Sequence, residues 1–399
     1  MKRSVFSLVV MALGAALLTG CQIGNDDNNN DNNVDTGGIG MIVSEYVVTN
    51  GALIINNGSS YNGIDGSLTF LDYETGEAKQ NVYKSANGMS LGGTPNSIFV
   101  YGEKIYVAGS DENTVFVLNR KTFKQIEKIS TTEEIGEAEG AGPRYITAYE
   151  DKVYVSTSGG YVCAIDTGDV NMPPYYYDKY KVGSYPEGMA VSVKNNVPFL
   201  YVANSDFGNG NGSISMINLT SGEVSEFKNE KIRYPKELAV VGDYIYVLDW
   251  GYYDENYVQK EAGVYLINGS SVQKIIPDAT GMAVAGYNIL TYNAPYNSYD
   301  SSKQATYSIY NIAYGTLNTF NLSRDSSNPI VSPSAISIDP NTGYVMIASR
   351  RKNEETGYPD YAAPGFVNLY TGDGQYVRTY ATGVEPHQIT YIYSLSKYQ

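Results

Sequence analysis

Few side chains in this sequence are suited to catalysis. His387 is the only histidine, so any serine or cysteine triad would have to be built on it. No nucleophile-elbow sequence stands nearby. Its setting, Pro386-His387-Gln388-Ile389, repeats a pattern found elsewhere in the chain and favours a structural role. The two cysteines, Cys21 and Cys163, cannot form a usual zinc cluster with one histidine. Carboxylates are plentiful (Asp65, Asp111, Glu112, Asp206, Asp249, Asp254, Glu255), and a glycosidase-like pair or a Ca²⁺ site has the material it needs. An acidic protein offers such pairs by composition alone, and Glu354-Glu355 and Thr132-Glu133-Glu134 read as solvated loop charge. The expectation is a binding protein with no catalytic residues, no resident metal and no required cofactor.

Residues suited to binding are far more numerous. The chain has 39 tyrosines against 10 phenylalanines and a single tryptophan. A core alone would favour phenylalanine, whereas the phenol hydroxyl suits half-exposed strands and wet surfaces. Many of these rings fall in long segments at 57–65, 204–212, 249–262, 293–305 and 349–364. They supply Tyr61, Phe207, Trp250, Tyr252, Tyr253, Tyr257, Tyr296, Tyr299, Tyr358 and Tyr361. Asp249 and Arg350 stand at the start of two of these segments. Tyr175, Tyr176, Tyr177 and Tyr180 add another aromatic run. Aromatic, Asn- and Gly-rich loops combine rigid contact area with adaptable hydrogen bonding.

The elements that position these loops come from a repeat. A proline, a polar residue, an apolar strand, a tight turn and a Tyr-Val strand recur along the chain. Pro95-Asn96-Ser97-Ile98-Phe99-Val100 is followed by Lys104-Ile105-Tyr106-Val107-Ala108, and Pro143-Arg144-Tyr145-Ile146 by Lys152-Val153-Tyr154-Val155. Further copies begin at Pro186, Pro235 and Pro333; Ala279 replaces the proline in a fifth, degenerate copy, and Pro386 opens a last fragment. The anchors are 48, 43, 49, 44, 54 and 53 residues apart. Third strands such as Val115-Phe116-Val117-Leu118-Asn119 end in Asp- or Asn-led turns. Short β-branched and aromatic runs with no helical period, repeating near 45 residues, predict propeller blades.

Residues 46–85 hold the later strands of a blade (52–56, 67–72 and 78–84) without a first one. The C-terminal fragment supplies a first strand and nothing after it. A blade shared by both ends would close the ring and remove exposed sheet edges. The prediction is an all-β, seven-bladed β-propeller over 46–399; whether the fifth copy makes a full blade is left open. The residues after the anchors, Asn96, Arg144, Glu187, Lys236, Thr280, Ser334 and His387, should ring the central channel.

Residues 1–20 read as a secretory signal: Lys2 and Arg3, an apolar run from Val5 to Leu18, then Leu18-Thr19-Gly20-Cys21. Cys21 sits where a lipobox places the acylated cysteine of bacterial lipoproteins. Lipidation there leaves Cys163 without a disulfide partner, as a small buried hydrophobe. Residues 21–45, rich in Asn and Asp, form an acidic tether with little to bury. The formal charge of −15 excludes a basic nucleic-acid footprint.

The anchor pattern, the Ile/Val-Tyr-Val-Ala second strand and the Leu/Ile-Asp/Asn turn resemble the YncE-like seven-bladed propellers over residues 46–393. With the lipobox and acidic tether, the chain resembles surface lipoproteins of the Bacteroidota, including cobalamin-binding ones. The resemblance implies an outer-membrane lipid anchor, cell-surface display or a periplasm-facing alternative, and capture of a corrinoid such as cobalamin (vitamin B12). It also implies delivery to a TonB-dependent outer-membrane transporter, with no chemistry on the ligand. The alternative is a glycan-binding or glycan-cleaving surface protein.

Overall fold

A computed structural model describes residues 45–168, 175–294, 305–323 and 327–397. Cys21, the signal segment and most of the tether lie outside the described residues, as do Tyr296 and Tyr299.

Seven four-stranded antiparallel sheets form, each meandering outward from an inner strand. They are referred to as blades 1–6 in chain order, with a closing blade. In blade 1 the strands are Pro95–Tyr101, Lys104–Gly109, Thr114–Asn119 and Gln125–Ser130. The first hairpin turns on two residues between Tyr101 and Lys104, and Gly102 supplies the positive φ of 56° that such a turn needs. The weak fifth copy is a complete blade, from Gly281–Ala285 to Thr316–Thr319. Glycine again takes the hairpin corner at Gly286.

Each second strand is buried on both sides because blades stack face to face. In Lys104–Gly109 every residue is buried. Ile105 and Val107 pack with Leu53, Ile55 and Leu68 of the closing blade. Tyr106 and Ala108 pack with Ile146, Val153 and Val155 of blade 2. Alternate residues of one strand thus serve two different cores, as the two-residue side-chain period dictates. Cys163 is fully buried in the second of these cores, and burial pushes its thiol up to about 12.

Closure follows the expected route. The C-terminal strand Pro386–Lys397 is the inner strand of the closing blade and pairs antiparallel with Glu45–Asn56. One expectation fails. Residues 78–84 do not form a single strand: Glu77–Lys79 is a strand and Val82–Asn87 a short helix. Tyr83 drives the change, since its ring meets Phe116 edge-on at 5.8 Å and its hydroxyl donates to Gln125 Oε1 at 2.7 Å. A second short helix, Thr131–Ile135, is capped by Ser130 Oγ accepting from the Glu133 amide and carries Glu133 and Glu134 in its first turn.

Candidate functional site: a polar funnel in the propeller channel

A β-bulge follows the anchor in six of the seven inner strands. Pairing steps from Pro95 to Ser97, Pro143 to Ile146, Pro186 to Met189, Pro235 to Glu237 and Pro333 to Ala335, and around His387 in the closing blade. Residues lifted out of a ladder re-aim their side chains. Here they join into a belt along part of the channel wall. Asn96 Nδ2 donates to the Arg144 carbonyl at 2.8 Å. Arg144 donates from Nε and Nη2 to Glu187 Oε2 at 2.9 and 2.8 Å. Lys236 Nζ pairs with the other Glu187 oxygen. Ser334 Oγ donates to the Pro386 carbonyl at 2.5 Å. Glu187 is the hub, with its side chain only 1% exposed.

Inside the belt lies a funnel of about 660 Å³. Arg144, Lys236, Trp250, Tyr253, Ser334, Arg350, Tyr361 and His387 border it, as does Thr280. Lys236 Nζ sits 5.0 Å from the Trp250 ring centroid, and Tyr234 meets that ring edge-on at 5.7 Å. Trp250 Nε1 donates to the Thr280 carbonyl at 3.0 Å. A small hairpin within the 249–262 loop, Tyr252–Tyr253 with Gln259–Lys260, brings Gln259 Nε2 to the Trp250 carbonyl at 3.0 Å. On the opposite wall, Arg350 pairs with Glu385, donates from Nη1 to Ser332 Oγ at 3.1 Å and lies 5.1 Å from the Tyr361 ring centroid.

Several expected ligand contacts do not border the funnel. Asn96 and Glu187 are consumed by the belt. Asp249 is fully buried and accepts the Arg233, Tyr234 and Gly251 amides, so it clamps its loop rather than a ligand. Burial pushes its carboxyl up to about 6 against those three hydrogen bonds. Tyr252 stacks beneath the Arg233 guanidinium at 4.7 Å. Phe207 lies against Tyr185 at 4.8 Å and remains largely exposed. Tyr61 is 98% exposed, and Tyr358 is half-exposed on its own loop.

Other funnel residues were not anticipated: Tyr145, Glu237, Tyr292 and Glu385. Glu237 loses hydration inside the channel, which pushes its carboxyl up to about 7. His387 is held down at about 3, first by desolvation and then by Arg144, Lys236 and Arg350. Its imidazole is therefore neutral at physiological pH. Burial also raises the Tyr145 and Tyr292 hydroxyls, which stay protonated donors. The Tyr292 ring fits only because residue 281 is glycine: a Cβ there would lie 2.1 Å from Tyr292 Cε1.

Fold and site define a closed seven-bladed β-propeller whose channel widens into a charged, aromatic-walled funnel. A domain of unknown function (DUF5074) matches residues 50–173, which span the N-terminal strands of the closing blade, blade 1 and most of blade 2. Among curated proteins none matches the chain. A putative 6-phosphogluconolactonase from Bacteroides uniformis is similar at 13% identity and a TM-score of 0.57, covering 86% of this chain and 100% of that one. A quinonprotein alcohol dehydrogenase-like protein from Bacteroides thetaiotaomicron is similar at 15% identity and a TM-score of 0.53, covering 87% of this chain and 79% of that one. A Lactobacillus plantarum protein has 13% identity and a TM-score of 0.52, covering 86% of this chain and 99% of that one. At these identities the likeness is one of fold.

Proposed function

We propose that this chain is a capture protein, anchored through a lipid on Cys21 at the cell surface, whose funnel binds a small organic ligand. The ligand proposed is cobalamin or another corrinoid, passed on to a TonB-dependent outer-membrane transporter. The observation that carries the binding reading is the funnel itself: a cavity of about 660 Å³ with Arg144, Lys236 and Arg350 beside Trp250, Tyr253 and Tyr361. That volume falls within the roughly 300–1,000 Å³ of small-molecule sites, which combine aromatic walls with a few fixed polar groups. A corrinoid exceeds it, so the macrocycle would lie across the rim near Tyr253 and Tyr361 with its amide arms reaching the belt. Size exclusion of the protein with cyanocobalamin, followed by corrin absorbance, tests this. Co-elution at micromolar concentration is expected; none would remove the corrinoid.

One observation favours a second reading. Glu237, whose carboxyl is pushed up to about 7 by loss of hydration, has the property a glycosidase's general acid needs. Sugar release from a polysaccharide panel, lost on Glu237→Gln, would select a glycan-cleaving protein over a capture protein.

A further inference from the structure

Charges around the funnel do not match one for one. Arg144 and Lys236 share the single carboxylate of Glu187, while Arg350 has Glu385 to itself. Glu237 also borders the funnel, yet among the described residues no hydrogen bond or ion pair engages its side chain. The same holds for the His387 imidazole and the hydroxyls of Tyr145 and Tyr292. These four polar groups come from blade 2, blade 4, blade 5 and the closing blade, so different parts of the chain converge on one space. Their polar ends open on the cavity rather than being sealed from it, and convergent polar groups without protein partners on a cavity wall mark where a ligand can supply them. With the Glu237 proton on, three cations face two carboxylates, and His387 adds no charge. Burial drives Lys236 toward its neutral form, and the contact with Glu187 opposes that shift. In that state, with Lys236 kept charged by its contact with Glu187, the lumen is one negative charge short, inside a protein whose formal charge is −15.

We infer that the floor of the funnel is a subsite for one singly charged oxyanion of the ligand, a carboxylate or a phosphodiester. Arg144, Lys236 and Arg350 supply the positive field, and Tyr145, Tyr292 and the Glu237 acid donate hydrogen bonds. The inference rests on the funnel being the ligand site and adds the class of group it takes. Glu237 makes the subsite proton-dependent. The groups facing it are Lys236 on its own strand, Glu187 on the adjacent inner strand, Tyr145 and Arg144 of blade 2 and Tyr292 of blade 5. Arg350, Glu385 and His387 complete the wall. Ionisation of Glu237 cancels the positive excess and removes a donor, so an anion binds with Glu237 protonated.

The test is calorimetric titration with benzoate, diethyl phosphate, benzamide and benzylammonium, with cyanocobalamin alongside. At least one of the two anions should bind about 10-fold more tightly than benzamide at pH 6, and benzylammonium should not bind. Whichever anion wins identifies the group. Anion affinity should fall about 10-fold between pH 6 and pH 8 in the parent protein and stay flat in Glu237→Gln. Lys236→Met, which leaves Arg144 on Glu187, should weaken the anion about 10-fold more than it weakens benzamide; thermal melts establish that both variants are folded. Equal binding of anion and amide, or a pH dependence that survives Glu237→Gln, would overturn the inference. So would the failure of both anions at about 10 mM, where fragments of this size bind a site built for them. Cyanocobalamin binding with no anion preference leaves capture standing and removes only the subsite; anion binding without cyanocobalamin does the reverse for the corrinoid.

Discussion

Replacing Glu187 by Gln should destabilise the propeller more than any other single change at the belt. The side chain is 1% exposed and faces Arg144 and Lys236, whose side chains are 17% and 10% exposed. Glutamine keeps the shape but leaves two cations sharing one space with no counter-charge. Removing one partner of a buried ion pair costs about 3–5 kcal/mol. Unfolding entropy of about 2.1 cal/mol/K per residue, over the roughly 350 residues of a propeller this size, gives about 0.7 kcal/mol/K. The midpoint should therefore drop by about 4–7 °C in differential scanning calorimetry at pH 7. The shift should persist in about 0.5 M NaCl, because buried pairs are weakly screened. In Glu187→Gln/Lys236→Met, which removes one of the orphaned cations, at least half of the loss should return. A drop under about 1 °C, or one abolished by salt, would show that the belt is solvated and the reasoning wrong.

Further consequences can be measured independently. Gly281→Ala puts a methyl into the Tyr292 ring, so it should cost about 1–3 kcal/mol by chemical denaturation and also weaken any funnel ligand. Trp250→Ala should weaken the ligand by about 2 kcal/mol, whereas Tyr61→Ala, at a residue 98% exposed and away from the funnel, should leave affinity unchanged. The pH profile carries two opposed contributions. Glu237, raised from 4.5 to about 7, gives a native state that holds its proton longer than the unfolded chain, so stability falls as pH rises across that window. His387, lowered from 6.5 to about 3, does the reverse, and stability falls as pH drops below 6.5. Between pH 4.5 and 6.5 the two should nearly cancel. His387→Gln should expose a slope of about −1 kcal/mol per pH unit there and Glu237→Gln a slope of about +1, both read from urea midpoints. Removing residues 386–397 deletes the strand that closes the ring and should abolish cooperative unfolding by circular dichroism.

Architecture was legible because its signals are local and repeated. Each Pro-x-x-apolar anchor and Tyr-Val strand announces an inner hairpin, and even the proline-less copy at Ala279 keeps its Gly286 corner and builds a full blade. The helix Val82–Asn87 was not legible, since six residues are too few to show a helical period and tertiary packing of Tyr83 decides the matter. At the site, the shared position of the residues directly after the anchors, at the start of each inner strand, was legible from the repeat. Their division into belt and lumen was not, because the bulges that set it leave no mark in composition. For the same reason Tyr145 and Glu237, two places after their prolines, were passed over. Asp249 shows the converse: Asp249-Trp250-Gly251 looks like a loop offering a carboxylate, yet it is a turn in which aspartate accepts its neighbours' amides. Glu385 escaped notice as the residue before a proline, but its left-handed φ of 57° sets it beside Arg350.

Trp250 is the only tryptophan of the chain and borders the funnel, so its fluorescence is an internal probe of the site. Titrating cyanocobalamin into the protein, with free tryptophan correcting for absorbed light, tests the central claim directly. Binding in the funnel predicts a saturable change in Trp250 emission that Gly281→Ala weakens. A corrected signal that stays flat while the corrinoid still co-elutes with the protein would place binding elsewhere and contradict the account.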